Sequence, residues 1–178
     1  MKKVFILILL ASVGCSSVRI KDVDKEEGFA ISNYKTFGFF QVDAKGDAIG
    51  PNYSANLDLL KTAITRELEA KGLSSVSENP DLMVNIGIAI SKEVQTRETS
   101  FTNPGDRMAY MGQRNYSWHA QEVVVGTYKQ GSVSVHLVDR SAGKLVWQAT
   151  AESVVPEKEK NVPPLIEEGM KSLFAKLK

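Results

Sequence analysis

The chain is poor in the residues on which most enzyme chemistry is built. It holds one cysteine and two histidines in 178 residues, so a disulfide framework is excluded and a Cys/His metal site has no ligands from sequence neighbours. No HExxH, GxSxG, P-loop, GxGxxG or CxxC pattern occurs, and no cofactor is implied. Charge of one sign is also lacking. Lys and Arg number 22 against 21 Asp and Glu, a net +1, which leaves no electrostatic footprint for nucleic acid. With 6 Pro, 13 Gly and no internal repeat, collagen-like, solenoid and fully disordered classes fall away. No apolar run reaches the ~20 residues of a bilayer-spanning helix. What remains is ordinary globular composition, 43% hydrophobic and 24% charged. At this length a single domain buries roughly two-thirds of its unfolded surface, enough for a core without metals or crosslinks.

The N-terminus carries the densest information. Residues 1–15 read MKKVFILILLASVGC: two lysines, an apolar run from Val4 to Leu10, then small residues up to Gly14 and Cys15. This is the pattern of a secretory signal. Cys15 has no possible intramolecular partner, so in an oxidising compartment it calls for another explanation. The segment resembles the signal of bacterial lipoproteins, in which a small residue precedes a cysteine that receives a diacylglycerol and becomes residue one after cleavage. Gly14 and Cys15 fit, while Ser12 stands where the commonest form has Leu. The resemblance implies a protein held to a membrane by acyl chains, palmitate among them, on Cys15. Several chains on one cysteine hold a protein to a bilayer far more firmly than the marginal grip of one. Ser16 follows where an Asp would mark inner-membrane retention, which favours the outer membrane with the domain facing the periplasm.

The organisation expected from this start is a signal peptide at 1–14, a lipidated N-terminus and tether at 15–32, and one domain at 33–178. The stretch SSVRIKDVDKEEGFAIS is polar, charged and without sustained period, as a solvated linker would be. Phe37 and Phe39 alternate in a strand. Leu57, Leu60, Ile64 and Leu68 recur at three and four, predicting a helix over 54–71 with Ser54 as N-cap and Gly72 as terminator. DLMVNIGIAIS alternates strictly from Leu82 to Ile90 and reads as a half-buried antiparallel strand. Val133, Val135 and Leu137, then Leu145, Trp147 and Ala149, form the arms of a hairpin around Gly143. Pro163 and Pro164 open a second amphipathic helix, over 164–176, with Leu165, Ile166, Met170, Leu173 and Phe174 on its apolar face. Together these describe an α+β fold, an antiparallel sheet with both helices on one face. Leu60, Ile64, Ile86, Ile88, Val135 and Trp147 are the expected core.

Four segments, YKTF at 34–37, ELEAKGL at 67–73, NPDLMVNI at 79–86 and GSVSVHLVDRSAGKLVW at 131–147, in this order and spacing resemble the bacterial lipoprotein family defined by domain of unknown function 4136. The resemblance implies an envelope lipoprotein with an α+β domain and carries no catalytic residue. Each marked residue also has a plain role: Pro80 fixes the start of a strand, Asp139 bonds the turn after it, and Trp147 fills core with its indole N–H bonded.

One further segment suggests binding. Between Val94 and Ala120 no period is visible, yet Phe101, Met108, Tyr110, Met111, Tyr116 and Trp118 are interleaved with Arg97, Arg107 and Arg114. Aromatics with Arg are the composition of interface anchors, and long irregular segments in compact domains serve function or fold back on the sheet. Phe101, Arg107, Tyr110, Met111, Arg114, Tyr116 and Trp118 are therefore the candidate partner-binding loop. His136 is expected to be exposed or at an edge, and His119 to lie in this loop. The expected function is a non-enzymatic, lipid-anchored envelope protein that presents its domain to a protein, peptidoglycan or glycan partner. The alternatives are a carrier of a lipid or other hydrophobic ligand, using space between sheet and helices, and an envelope enzyme with a site assembled in three dimensions.

Overall fold

The computed structural model describes residues 17–46, 51–100, 102–103, 105–106 and 120–178. Its elements run β1 (Arg19–Lys25), β2 (Thr36–Gly46), α1 (Tyr53–Glu69), β3 (Ser74–Ser75), β4 (Leu82–Glu98), β5 (Glu122–Asp139), β6 (Lys144–Val154) and α2 (Val162–Phe174). The strands form one six-stranded sheet in the order β1-β6-β5-β4-β2-β3. The family of helix-facing side chains is Phe37 from β2, Val84 and Ile86 from β4, Val135 and Leu137 from β5, and Trp147 and Ala149 from β6. Leu60, Ile64 and Leu68 of α1 and Met170, Leu173 and Phe174 of α2 close over them, all buried. Trp147 stacks on Phe174 with ring centroids 5.7 Å apart.

The α+β class and the two helices stand as the periodicities indicate, but the sheet is mixed. β2 runs parallel to β4, from Phe37↔Leu82 to Gly46↔Ile90, and parallel to β3. The reason is α1: a helix between two neighbouring strands is the crossover that parallel pairing requires. The alternation along β4 reports one covered face, and that is equally true of a strand with a parallel neighbour on one side and an antiparallel one on the other.

The expected tether is also corrected over most of its length. Arg19–Lys25 pairs antiparallel with β6, Ile20 opposite Ala151 and Lys25 opposite Trp147, with an irregularity between Lys21 and Asp24 where Asp22 takes φ 51°. Phe29 is buried and lies 5.7 Å from the Tyr34 ring. An edge strand of an open sheet keeps charged side chains on its free side, so it reads as a solvated linker in sequence. Ser17 is already bound to the domain: its N–H donates to Glu168 Oε1 at 3.2 Å and its carbonyl accepts from Ser153 Oγ at 3.1 Å.

Smaller differences have local causes. α1 begins one residue before Ser54, with Asn52 at the cap position making no capping bond and donating instead to Glu159 Oε1 at 2.6 Å. Gly72 takes φ +92°, the left-handed conformation that ends the helix and lets the Leu73 N–H return to the Leu68 carbonyl at 3.2 Å. The indole N–H of the buried Trp147 has no hydrogen-bond partner among the described residues, contrary to the bonded indole expected from sequence.

Candidate functional site

Cys15 and the seven candidate loop residues, Phe101, Arg107, Tyr110, Met111, Arg114, Tyr116 and Trp118, lie outside the described residues, as does His119. The structure does describe what leads to the loop. β4 and β5 stay paired with each other from Leu82↔Asp139 to Glu98↔Glu122, whereas among the described residues β2 pairs with β4 no further than Ile90 and β6 with β5 no further than Gln130. One further bond from the β6 side joins the Val155 N–H to the Lys129 carbonyl at 2.8 Å. Among the described residues, Ser91–Glu98 and its partner strand therefore continue as a two-stranded ribbon, eight residues long by the ladder, about 27 Å at ~3.4 Å per residue. Part of the segment that sequence reading left without period is thus a strand. Val94, Val124, Val125 and Tyr128 of this ribbon are exposed, Val124 at 66%. Near its end Arg97 forks onto Asp106, Nη1 to Oδ2 at 2.7 Å and Nη2 to Oδ1 at 3.0 Å, and the Ser100 N–H adds a third bond to that carboxylate at 2.9 Å. The guanidinium, with the Ser100 amide, holds the Asp106 pKa down to about 2.

At the opposite end of the sheet the family-like segments converge. Asp81 accepts the backbone N–H groups of Lys35 and Thr36 at 2.9 and 3.0 Å while its own N–H donates to Thr36 Oγ1 at 2.9 Å. Asp139 accepts from Tyr34 Oη at 2.9 Å, Ser141 Oγ at 2.7 Å and the Ala142 N–H at 2.9 Å. Those three donors, Ser141 first, lower its pKa to about 2, and the Lys35 and Thr36 amides lower that of Asp81. Arg140 Nη2 donates to Asn79 Oδ1 at 2.7 Å. The bonds that Asp81 and Asp139 accept come from Tyr34, Lys35, Thr36, Ser141 and Ala142, so these carboxylates tie the segment entering β2 to the start of β4 and to the turn after β5. The expected bond from Asp139 to the following turn is the Ala142 contact.

His136 is neither exposed nor at an edge. β5 is a central strand, and His136 sits half-buried on the sheet face away from the helices, in register with Asn85 and Gln148. Beside it Ser134 Oγ and Thr150 Oγ1 are 2.9 Å apart. Among the described residues no group of three His, Cys, Asp or Glu is placed to hold a metal ion.

An apolar space lies between the N-terminal halves of the two helices and the sheet. This cavity is about 170 Å³ and half-open, and its walls include Leu57 and Leu60 of α1, Ile88 and Ile90 of β4, Val133 of β5 and Ile166 of α2. It explains why Ile88, expected in the core, is only half-buried: the core opens at that level. Val18 and Gly169 also line it. Sequence reading missed this site, whose one signal was a glycine inside an otherwise continuous amphipathic helix.

Comparison with solved structures places three chains near this one. A PDZ domain protein from Parabacteroides distasonis is 14% identical with a TM-score of 0.49, covering 88% of this chain, which spans only 35% of that protein. A PelC dodecamer from Paraburkholderia phytofirmans is 14% identical with a TM-score of 0.44 over 88% of this chain and 96% of its own. A neuraminyllactose-binding hemagglutinin homolog from Helicobacter pylori is 13% identical with a TM-score of 0.46 over 82% and 87%. At these values the likenesses carry nothing over to this chain. No curated protein matches. The profile described as domain of unknown function (DUF4136) matches residues 21–177, from within β1 to the residues after α2, and the chain therefore belongs to that family.

Proposed function

We propose that this chain is a lipid-anchored protein of the bacterial cell envelope, held by acyl groups on Cys15, and that its domain is a non-catalytic binding module whose partner engages the β4–β5 ribbon. The anchor rests on the sequence of residues 1–15. Among the described residues no helix is long and apolar enough to cross a membrane, and acylation supplies the affinity that a helix would otherwise provide. Ser16 after Cys15 favours the outer membrane, with the domain facing the periplasm. Because Ser17 is already bonded to Glu168 and Ser153, one residue separates the lipidated cysteine from the folded domain, which then sits directly on the bilayer surface.

The observation that carries the binding reading is the ribbon. A two-stranded hairpin is marginal on its own in water, and this one exposes Val94, Val124, Val125 and Tyr128 while leading to the aromatic and Arg-rich loop. Apolar exposure favours a protein partner over peptidoglycan or glycan. Photocrosslinking in cells from positions 94 and 124, with the exposed Leu59 of α1 as control, tests it. A discrete crosslinked species from the ribbon and none from Leu59 is expected; identical products from all three positions overturn the reading. A carrier of a hydrophobic ligand is the second reading, favoured by the apolar cavity.

A further inference from the structure

Gly169 sits inside α2 and is buried. Glycine in a helix interior lowers helix stability relative to alanine through its extra backbone freedom, so its presence there calls for a reason. Close packing is not that reason: a Cβ built on Gly169 meets nothing within 4 Å. The space it would enter is the apolar cavity of about 170 Å³. A Cβ at position 169 would therefore enter the cavity without a clash, and glycine leaves that space open.

That volume is close to the ~150 Å³ at which an apolar protein cavity stays dry and takes up benzene. It suits a slender hydrocarbon segment. The lining contains the carboxylate-bearing Glu152, but this group is paired with Lys21 Nζ at 2.6 Å, and most of the other lining residues are apolar. The lining points to the occupant. Val18 is part of the wall, and Ser17 is pinned beside it through Glu168 and Ser153. Two peptide units upstream, no more than about 7.6 Å away between Cα atoms, is Cys15.

We infer that the cavity seats part of one acyl chain carried by Cys15. This rests on the reading of Cys15 as lipidated. A chain seated there is withdrawn from the bilayer, so the domain both caps its own anchor and loosens the hold of the remaining chains.

The test compares the acylated protein purified from membranes with the full chain carrying Cys15→Ser, using a dansyl-labelled undecanoic acid as probe and palmitate as competitor. The Cys15→Ser protein should bind one probe saturably, with palmitate displacing it, and the acylated protein should bind at least tenfold more weakly because its own chain occupies the site. Adding Gly169→Leu to Cys15→Ser should weaken probe binding at least tenfold while leaving the unfolding midpoint unchanged or raised. Should that variant not fold, Leu57→Trp fills the cavity from α1 and should have the same effect on binding. Absence of saturable binding by Cys15→Ser, or full binding by a folded, cavity-filled variant, overturns the site. Equal binding by the acylated and Cys15→Ser proteins overturns the occupant. Incorporation of labelled palmitate into the wild-type protein, read in parallel, separates failure of the seat from failure of the anchor.

Discussion

At the scale of single residues the protein spends its polar chemistry on geometry. Asp139 and Asp106, both held near pKa 2 by donors of the fold, are ordinary carboxylates drawn into turns, and their shifts fix a sign. A carboxyl whose folded pKa is depressed contributes stability above its unfolded pKa of ~3.9 and loses it as pH falls toward the folded value. The unfolding midpoint should therefore fall between about pH 4 and pH 2, and Asp139→Asn should lower it at neutral pH while flattening that acid limb. Thermal unfolding followed by circular dichroism across this range checks both; a midpoint independent of pH below 4 in the wild type contradicts the assignment. In the core, Ile86 is 2% exposed, and Ile86→Ala should cost about 2 to 5 kcal/mol, as large-to-small changes in closed cores do. Ile88→Ala, on the wall of a space already open, should cost less in the same denaturant titration. Residue identity made the first of these legible, since strict alternation marks the buried face. It gave no warning of the second, because alternation says which side a residue faces and nothing about whether helices reach over it.

Elements were readable where their own pattern decided them and opaque where a neighbour did. α1 and α2 carry their stripes and stop signals in sequence, and the β5–β6 hairpin its turn. The parallel register of β2 with β4 depends on a partner far along the chain, although the helix between them was the available clue. β1 was hidden for the opposite reason, since its pairing with β6 leaves charged side chains in water. Amide hydrogen exchange discriminates strand from tether directly: the alternate amides of Arg19–Lys25 that face β6 should exchange far more slowly than an unstructured peptide, and free exchange throughout 19–25 would restore the linker. The ribbon makes a different demand. Val94 and Val124 are 56% and 66% exposed, so joint replacement by Thr should move stability by no more than about 0.5 kcal/mol while removing the species crosslinked from neighbouring ribbon positions. A large loss of stability with the crosslinks retained would mean the valines pack against this chain itself.

For the whole molecule, the sheet has one face under two helices, a stapled polar corner at one end, and at the other end Ser17, the apolar cavity and the start of the ribbon. Grouping these three at one end follows from β1 joining β6 at the edge, which brings Ser17 to Ser153 and Glu168. None of that convergence is visible in the linear order, where Ser17 and Glu168 are 151 residues apart. The proposed membrane anchor, by contrast, rests on fifteen residues alone, because a signal is read by local chemistry and not by fold. The account turns on Cys15 being the sole hold on the bilayer. Metabolic labelling with palmitate, followed by fractionation of cells expressing the wild type or Cys15→Ser, tests this most directly. The wild type should be labelled and sediment with membranes, and the variant should be unlabelled and leave the membrane fraction with its circular dichroism unchanged. Label in the Cys15→Ser protein, or its full retention by washed membranes, would contradict the account.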